Sequence, residues 1–216
     1  TLAYVPTPRT IWKQAKKLPP GHWLLVEKDQ VRVEEYWSLN PQIDTDRTNV
    51  GYIDEIQKKF NHSIDLQSRS DVPVGTFLSG GVDSSAITAE FCLRSKKSVN
   101  TFTMDFEGKD FNEGNYAQLV AHKYNTEHHF QTLSLDSALE NLQELLPLID
   151  EPMADSAIIP SYILSKLARD QNIKVILCGA GGDELFGGYQ RHYPSFRDKL
   201  SGSLPSIPLH FWNFIS

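Results

Sequence analysis

Hydrophobic and polar residues follow two different patterns along this chain, and the change falls near residue 40. Before it, two apolar-rich runs, 22–27 and 31–37, flank a short polar stretch, which is typical of a β-hairpin. After it, apolar residues recur every three or four positions between 50 and 66, which predicts a helix. The remainder alternates between two kinds of segment, with strands predicted at 72–78, 99–106, 127–131 and 173–178 and helices at 86–94, 116–124, 137–149 and 158–169.

Strands that alternate with helices imply a mostly parallel sheet, because the helices of the connections cover its faces. We therefore predict an α/β fold whose mostly parallel sheet carries helices on both faces, preceded by a short β-hairpin. The polar stretch 40–49, which contains Pro41, is interpreted as a linker. The chain is thus divided into residues 1–40 and residues 41–216.

Composition narrows the classes of function. The chain has 27 acidic and 21 basic residues and a formal net charge of −6, which argues against nucleic acid as the main partner, because a duplex-binding surface is usually basic. No uninterrupted apolar run reaches the ~18 residues of a membrane span, so no membrane partner is predicted. The two cysteines, Cys92 and Cys178, lie far apart and outside any C-x-x-C pattern. This argues against a disulfide framework and a zinc ribbon, and it favours the reducing cytoplasm.

Candidate chemistry begins in the loop Ser79-Gly80-Gly81-Val82-Asp83-Ser84-Ser85, which follows a predicted strand and precedes a helix. The glycines let the backbone approach a ligand closely, and the following helix presents its positive end, which indicates an anion site. The serine hydroxyls add donors. The Asp83 carboxylate would repel a phosphate unless a cation lies between them, so we interpret Asp83 as a magnesium ligand. The alternative is a plain strand-to-helix turn capped by Ser or Asp.

A second glycine-rich loop supports the first. The strand predicted at 173–178 leads into Cys178-Gly179-Ala180-Gly181-Gly182-Asp183-Glu184. If the two strands are neighbours, both loops lie where the ligand crevices of open α/β sheets form. The second loop would then add a further acidic metal ligand, whereas a glycine-rich helix cap is the alternative.

At this point the chain resembles a known family. The loop 79–85 is similar to the pyrophosphate loop of the ATP pyrophosphatase (PP-loop) superfamily, and its surroundings resemble the glutamine-hydrolysing asparagine synthetases. Similar stretches extend over nearly the whole chain, at 4–6, 17–22, 36–37, 69–75, 150–156 and 181–189. The resemblance implies that residues 1–40 are the β-rich tail of an N-terminal-nucleophile-type glutaminase domain. Residues 41–216 would be the ATP-binding synthetase domain, with an adenine nucleotide alpha hydrolase-like fold and truncated at its C-terminal end.

The same resemblance implies a set of site residues. Asp83 and Asp183 would hold magnesium, and Asp183 and Glu184 would act in catalysis. ATP would lie against a larger set of positions from both loops and two strand ends, namely Leu78, Ser79, Gly80, Gly81, Asp83, Ser84, Ser85, Met104, Cys178 and Gly179.

The implied reaction is the ATP-dependent activation of a carboxylate, from aspartate or another small carboxylic acid, as an acyl-adenylate with release of pyrophosphate. Ammonia from a glutaminase domain would then form the amide, asparagine when the acid is aspartate. The resemblance is compatible with a homodimer. Ala180 stands where the family commonly has an acidic residue, which keeps two alternatives open. One is a β-lactam-synthetase-like or polysaccharide amidotransferase, and the other is an ATP-binding module without catalysis.

Four further residues have two interpretations. His128 and His129 could suggest a metal, but neighbours on a strand point to opposite faces, which is poor ligand geometry. By resemblance, Glu113 and Asp155 could border the substrate pocket, and an exposed polar role is the alternative.

Overall fold

A computed structural model of the chain describes residues 4–42, 48–107 and 113–189. Within these ranges, strands and helices alternate after an initial hairpin, as predicted. The elements are β1 (His22–Glu27), β2 (Gln30–Glu35), α1 (Asn49–Gln67), β3 (Val74–Phe77), α2 (Val82–Arg94), β4 (Asn100–Phe106), α3 (Gly114–Lys123), β5 (Glu127–Leu133), α4 (Leu135–Leu145), α5 (Ile158–Asp170), β6 (Val175–Leu177) and α6 (Gly182–Phe186).

The main sheet has four strands in the order β5-β4-β3-β6, and every neighbouring pair is parallel. β3 lies between β4 and β6, with Phe77 opposite Phe102 on one side and Thr76 opposite Leu177 on the other. The predicted parallel sheet is therefore confirmed, and its first and last strands are neighbours.

Helices cover both faces of this sheet. Phe102 on β4 is fully buried and packs in one cluster with Ala168 of α5 and with Ile173. On the other face, Leu78 packs against Ala117 and Ala121 of α3. Because side chains alternate along a strand, these two clusters belong to opposite faces. The predicted α/β class is confirmed.

The layer between the sheet and α2 and α3 is unusually polar. Thr76 on β3 and Thr88 on α2 are both fully buried, and their hydroxyl oxygens lie 2.9 Å apart. Thr101 contacts the hydroxyl of Thr126 at 2.9 Å and Nδ1 of His128 at 2.8 Å. Buried hydroxyls are tolerated when they are hydrogen-bonded. These hydrogen bonds therefore link β3 to α2 and β4 to β5.

Two helices differ from their predicted bounds by four residues at one end, whereas the other predicted helices differ by at most two. α2 begins at Val82 instead of Ala86, because Gly81 is extended (φ −67°, ψ 163°) and serves as its N-cap. α4 ends at Leu145 and continues as a 3₁₀ turn over Leu146–Leu148, instead of running to residue 149. Pro147 explains the second difference, since proline has no N–H to donate to an α-helical hydrogen bond.

The hairpin is closed by a two-residue turn. Lys28 and Asp29 both have positive φ, 48° and 65°, which matches the twist of type I′ turns between antiparallel strands. Before the hairpin, the N-terminal segment contacts the connection between α4 and α5. There the Lys17 ammonium donates to the Val5 carbonyl over 2.7 Å and pairs with the Glu151 carboxylate.

In the described part of the chain, no helix combines the length and the apolar composition needed to cross a membrane. Both cysteines have free thiols, with Cys178 exposed and Cys92 half-buried.

Candidate functional site

Two loops lie side by side at one edge of the sheet. β3 and β6 run in parallel as neighbours, so the loops that follow them, 78–81 and 178–181, lie at the same edge. In open α/β sheets this edge is where ligands bind. The predicted juxtaposition of the two glycine-rich loops is confirmed.

Hydrogen bonds between Ser79, Ser84 and Gly81 shape the first loop. The N–H of Ser79 donates to Ser84 Oγ over 3.2 Å, and the two hydroxyl oxygens lie 2.9 Å apart. Ser84 donates to the Gly81 carbonyl over 3.2 Å, while the N–H of Gly81 donates to Ser79 Oγ over 3.3 Å. Ser84 is buried and stabilises the loop from within. A direct contact of its hydroxyl with pyrophosphate stays a prediction.

Gly80 lets this loop rest on the first turn of α3. Its φ of +87° lies in the left-handed region, which favours glycine. A Cβ at this position would lie 2.5 Å from the Glu113 carbonyl oxygen and 2.9 Å from the backbone nitrogen of Ala117. No side chain fits there, so the loop backbone contacts α3 directly.

The first turn of α2 belongs to the loop. Its N-cap is Gly81, and no side chain among the described residues caps the helix. The first N–H groups of a helix lack partners within the helix and lie at the positive end of its dipole, which favours anions. Asp83 lies in this turn. Ser85 lies two residues further on, and its buried hydroxyl oxygen has no hydrogen-bond partner within residues 4–42, 48–107 and 113–189.

The second loop packs against that same turn through its glycines. A Cβ on Gly179 would lie 3.1 Å from the backbone nitrogen of Ser84 and 3.3 Å from Cβ of Asp83. A Cβ on Gly182 would collide with the Asp83 carboxylate. The absence of a side chain at Gly179 and at Gly182 is therefore what lets the second loop approach Asp83.

The other predicted metal ligand lies against a glycine in the same way. A Cβ on Gly188 would collide with Oδ1 of Asp183. Asp183 is in the first turn of α6 and is half-buried. Each of the two carboxylates thus occupies the space that a glycine leaves free.

These residues fit a magnesium ion. Among the described residues, the carboxylates of Asp83 and Asp183 have no hydrogen bond or ion pair, and Asp83 lies where a Cβ on Gly182 would collide with it. Magnesium prefers oxygen ligands and usually binds through one or two carboxylates together with substrate phosphates and water. Over the same residues, no group of three or more His, Cys, Asp or Glu side chains could hold a metal. That these two carboxylates share one magnesium ion with phosphate stays a prediction.

Glu184 has structural contacts in the second loop. Its Oε2 accepts from the N–H of Gly181 over 3.1 Å, and its Oε1 accepts from the Tyr189 hydroxyl over 2.7 Å. Both carboxylate oxygens therefore take part in holding the start of α6 against the residues that follow it. The catalytic role predicted for Glu184 stays a prediction.

The residues predicted to flank the nucleotide lie around these loops. The Leu78 side chain is 1% exposed and packs in the core with α3, so only its backbone is near the edge of the sheet. Met104 is half-buried and lies on the opposite face of the sheet. Phe77 and Phe102 are register partners and share one face. Leu78 comes one residue after Phe77 and faces the other side, whereas Met104 comes two residues after Phe102 and faces the same side as Phe102. Cys178 is exposed at the end of β6.

The neighbouring histidines are bound within the fold. Nδ1 of His128 contacts the Thr101 hydroxyl, whereas Nε2 of His129 lies 2.8 Å from the Asn100 side-chain oxygen. The His129 ring stacks on Phe102 at 4.9 Å. Burial lowers the pKa of His128 below its ordinary value, and the nearby charge of His129 adds to the effect.

Sequence reasoning missed two residues of the site, Gly182 and Gly188. Their contacts with Asp83 and Asp183 depend on how the second loop folds back. The available signal is the occurrence of glycines on both sides of Asp183, at 181–182 and 187–188.

Several curated proteins related to this chain are described as asparagine synthetases. A protein of Methanocaldococcus jannaschii described as a putative glutamine-hydrolysing asparagine synthetase 2 is 35% identical over 211 residues, which cover 95% of this chain and 40% of that protein. The glutamine-hydrolysing asparagine synthetase 1 of Bacillus subtilis is 34% identical over 200 residues, which cover 92% of this chain and 30% of that protein. The chain thus spans less than half the length of these two relatives.

Solved structures and a family profile complete the comparison. An NH3-dependent NAD synthetase of Campylobacter jejuni superimposes with a TM-score of 0.43 at 17% identity, covering 63% of this chain and 60% of that one. The profile of the asparagine synthase family matches residues 55–211, which are most of the chain. The chain therefore belongs to the asparagine synthase family.

Proposed function

We propose that this chain is the ATP-binding part of an amide-forming ligase that activates a carboxylate, with aspartate as the first candidate. The observation that carries the proposal is the pairing of β3 with β6, which brings the loop of residues 79–85 against a second glycine-rich loop. Relatives described as asparagine synthetases, at about one-third identity, support the same reaction. We place residues 1–40 in the tail of a glutaminase domain and the reaction in the cytoplasm.

The proposed reaction has two steps. A carboxylate oxygen of the acid attacks the α-phosphorus of ATP and displaces pyrophosphate, which gives an acyl-adenylate. Ammonia from the glutaminase then attacks the acyl carbon, so that the amide forms and AMP leaves. The protein contributes mainly by positioning the reactants and stabilising the charge that develops.

The first loop would bind the pyrophosphate. The first-turn N–H groups of α2 and the backbone of Gly80 and Gly81 supply donors without shielding side chains. The Ser79 and Ser85 hydroxyls add to them. Ser85 is a suitable donor because its buried hydroxyl has no partner among the described residues, and an unpaired buried hydroxyl is unfavourable.

The two carboxylates Asp83 and Asp183 would hold magnesium. When bound, the ion supplies positive charge that lowers the energy of the departing pyrophosphate. Met104, Cys178, Gly179 and the backbone of Leu78 would line the rest of the nucleotide.

The second candidate is an ATP-binding module without catalysis, and Ala180 favours it. Ala180 is exposed in the second loop, where it brings no carboxylate. An acidic side chain at this position would have been available to handle ammonia. Its absence leaves nucleotide binding through backbone groups intact and also leaves the identity of the acid open, so a β-lactam-synthetase-like or polysaccharide amidotransferase is the third candidate.

Two measurements test the proposal. Calorimetric titration of the chain with ATP should show binding that strengthens when magnesium is added, and Asp83→Asn should remove the effect of magnesium. Exchange of labelled pyrophosphate into ATP is then measured in the full-length protein with a panel of carboxylic acids. Exchange with aspartate supports asparagine synthesis, and exchange only with another acid supports the third candidate. ATP binding without exchange for any acid supports the binding module, whereas no ATP binding contradicts all three.

A further inference from the structure

Gly182 stands directly against the Asp83 carboxylate. A Cβ built on Gly182 would collide with Oδ2 of Asp83 and lie 2.5 Å from its Cγ and 3.0 Å from Oδ1. Atoms of a real side chain do not approach this closely, so any substitution at residue 182 forces the carboxylate to move. Asp83 lies in α2, which follows β3, and Gly182 lies in α6, which follows β6. This is therefore a contact between the two loops of the site.

The backbone around Asp83 has little room to retreat. On the same side, Gly179 lies so close that its Cβ would be 3.3 Å from Cβ of Asp83 and 3.1 Å from the nitrogen of Ser84. Ser84 is itself held by its hydrogen bonds to Ser79 and Gly81. The easier response to a side chain at residue 182 is therefore a rotation of the Asp83 side chain away from its present position.

No hydrogen bond fixes the Asp83 carboxylate among the residues that the structure describes. Its orientation is therefore set by the shape of the space around it, and Gly182 forms one wall of that space. The same relation holds between Gly188 and Asp183, because a Cβ on Gly188 would collide with Oδ1 and lie 2.9 Å from Cγ of Asp183.

We propose that Gly182 and Gly188 are positioning residues, each of which leaves the space in which a carboxylate, Asp83 or Asp183, is directed towards the shared magnesium ion. The inference rests on the proposed function, since it concerns the ion that accompanies ATP. In this role the second loop acts through the missing side chains of Gly182 and Gly188, and not through hydrogen-bond donors or charged groups. Residues that orient a ligand of a metal without touching the ion commonly change metal affinity by about 10- to 100-fold.

The test is a calorimetric titration of ATP, with magnesium and with EDTA, into the chain and its Gly182→Ala variant. We expect Gly182→Ala to weaken ATP binding in magnesium by about 10- to 100-fold and to leave binding in EDTA unchanged. In the Asp83→Asn background, the same substitution should add nothing, because the group through which it acts is gone. A purely structural role would weaken binding equally with and without magnesium.

Two further variants keep the test decisive. Gly51→Ala in α1 is the matched glycine-to-alanine control, and we expect it to bind ATP like the unmodified chain. Gly188→Ala repeats the measurement at Asp183, so the inference is still tested if Gly182→Ala fails to fold by circular dichroism.

A normal magnesium effect in folded Gly182→Ala and Gly188→Ala, or a loss that persists in the Asp83→Asn background, would overturn the inference while leaving the proposed function intact. If the unmodified chain shows no magnesium-dependent ATP binding, the metal part of the proposed function fails and the inference fails with it.

Discussion

At the scale of single residues, the burial of His128 makes the stability of the fold depend on pH. Nδ1 of His128 contacts the fully buried Thr101, and its Nε2 is buried with no hydrogen-bond partner in the described part of the chain. Burial disfavours the charged form, which lowers the pKa of His128. The unfolded chain therefore binds a proton at this residue more readily than the folded chain does.

This difference predicts a loss of stability in weak acid. Neutral His128 should contribute fully to the free energy of unfolding above the ordinary histidine pKa of about 6.5. This contribution should decrease as the pH falls below that value. His128→Asn keeps a polar atom near the position of Nδ1 but does not titrate. Urea unfolding between about pH 7.5 and 5.5 should therefore show a smaller decline for the variant than for the unmodified chain. An equal decline in both proteins would show that other groups cause it.

At the scale of elements, α4 depends on its cap. The Ser134 hydroxyl accepts from the N–H of Ser137 over 3.2 Å at the start of the helix. This bond satisfies one of the N–H groups that a helix leaves unpaired at its first turn. Several leucines of the helix, among them Leu135 and Leu139, are exposed, so packing does less for its first turn than the cap does.

Ser134→Ala should lower the free energy of unfolding by about 1 kcal/mol, which is typical for loss of a serine cap. The matched control is Ser165→Ala in α5, where the hydroxyl is exposed and only donates back to the carbonyl of Ser161. Such bonds stabilise a helix little, so the control should change the free energy of unfolding by less than about 0.5 kcal/mol. Chemical denaturation of the three proteins measures both values, and equal losses would contradict the role given to the cap.

Sequence patterns predicted the type of each element better than its bounds. The strands were recognisable because short apolar runs alternate with helical periodicity, and both loops were recognisable from their glycines. The start of α2 was missed because Gly81 was interpreted only as a turn residue, although a glycine can also serve as a helix N-cap. α6 was missed because five residues are too few to show a helical period.

The site was predictable in its parts and not in its contacts. The sequence places Asp83 in one loop and Asp183 in the other, and parallel strands bring the loops to one edge. What it does not contain is the fit of Gly182 against Asp83, which depends on the positions of two backbones to within an ångström. Likewise, the sequence does not show that the Leu78 side chain lies on the sheet face covered by α3, where it is buried in the core.

At the scale of the whole molecule, the N-terminal segment is tied to the α/β part by a charged contact. Lys17 pairs with Glu151 and also donates to the Val5 carbonyl. Both side chains are partly exposed, at 32% and 26%, so the pair contributes at most about 1 kcal/mol to global stability. Its effect should instead be local, on how long the segment stays attached.

Lys17→Met should therefore increase the rate at which chymotrypsin cuts the N-terminal segment, for example at the exposed Trp12, with little change in the unfolding temperature. Lys16→Met is the matched control, because Lys16 has no ion pair among the described residues. Limited proteolysis followed by mass spectrometry compares the three proteins. Equal cleavage rates would mean that the contact does not hold the segment.

The pairing of β3 with β6 also constrains when the site can exist. About 100 residues of chain separate Thr76 from its partner Leu177, and closing a loop of that length has an entropic cost before the contact can compensate. During synthesis, at roughly 5 to 20 residues per second, the first loop would wait several seconds or more for the second. Under the proposed function, nascent chains that already display residues 79–85 are therefore expected to be unable to retain ATP until β6 has left the ribosome and joined the sheet.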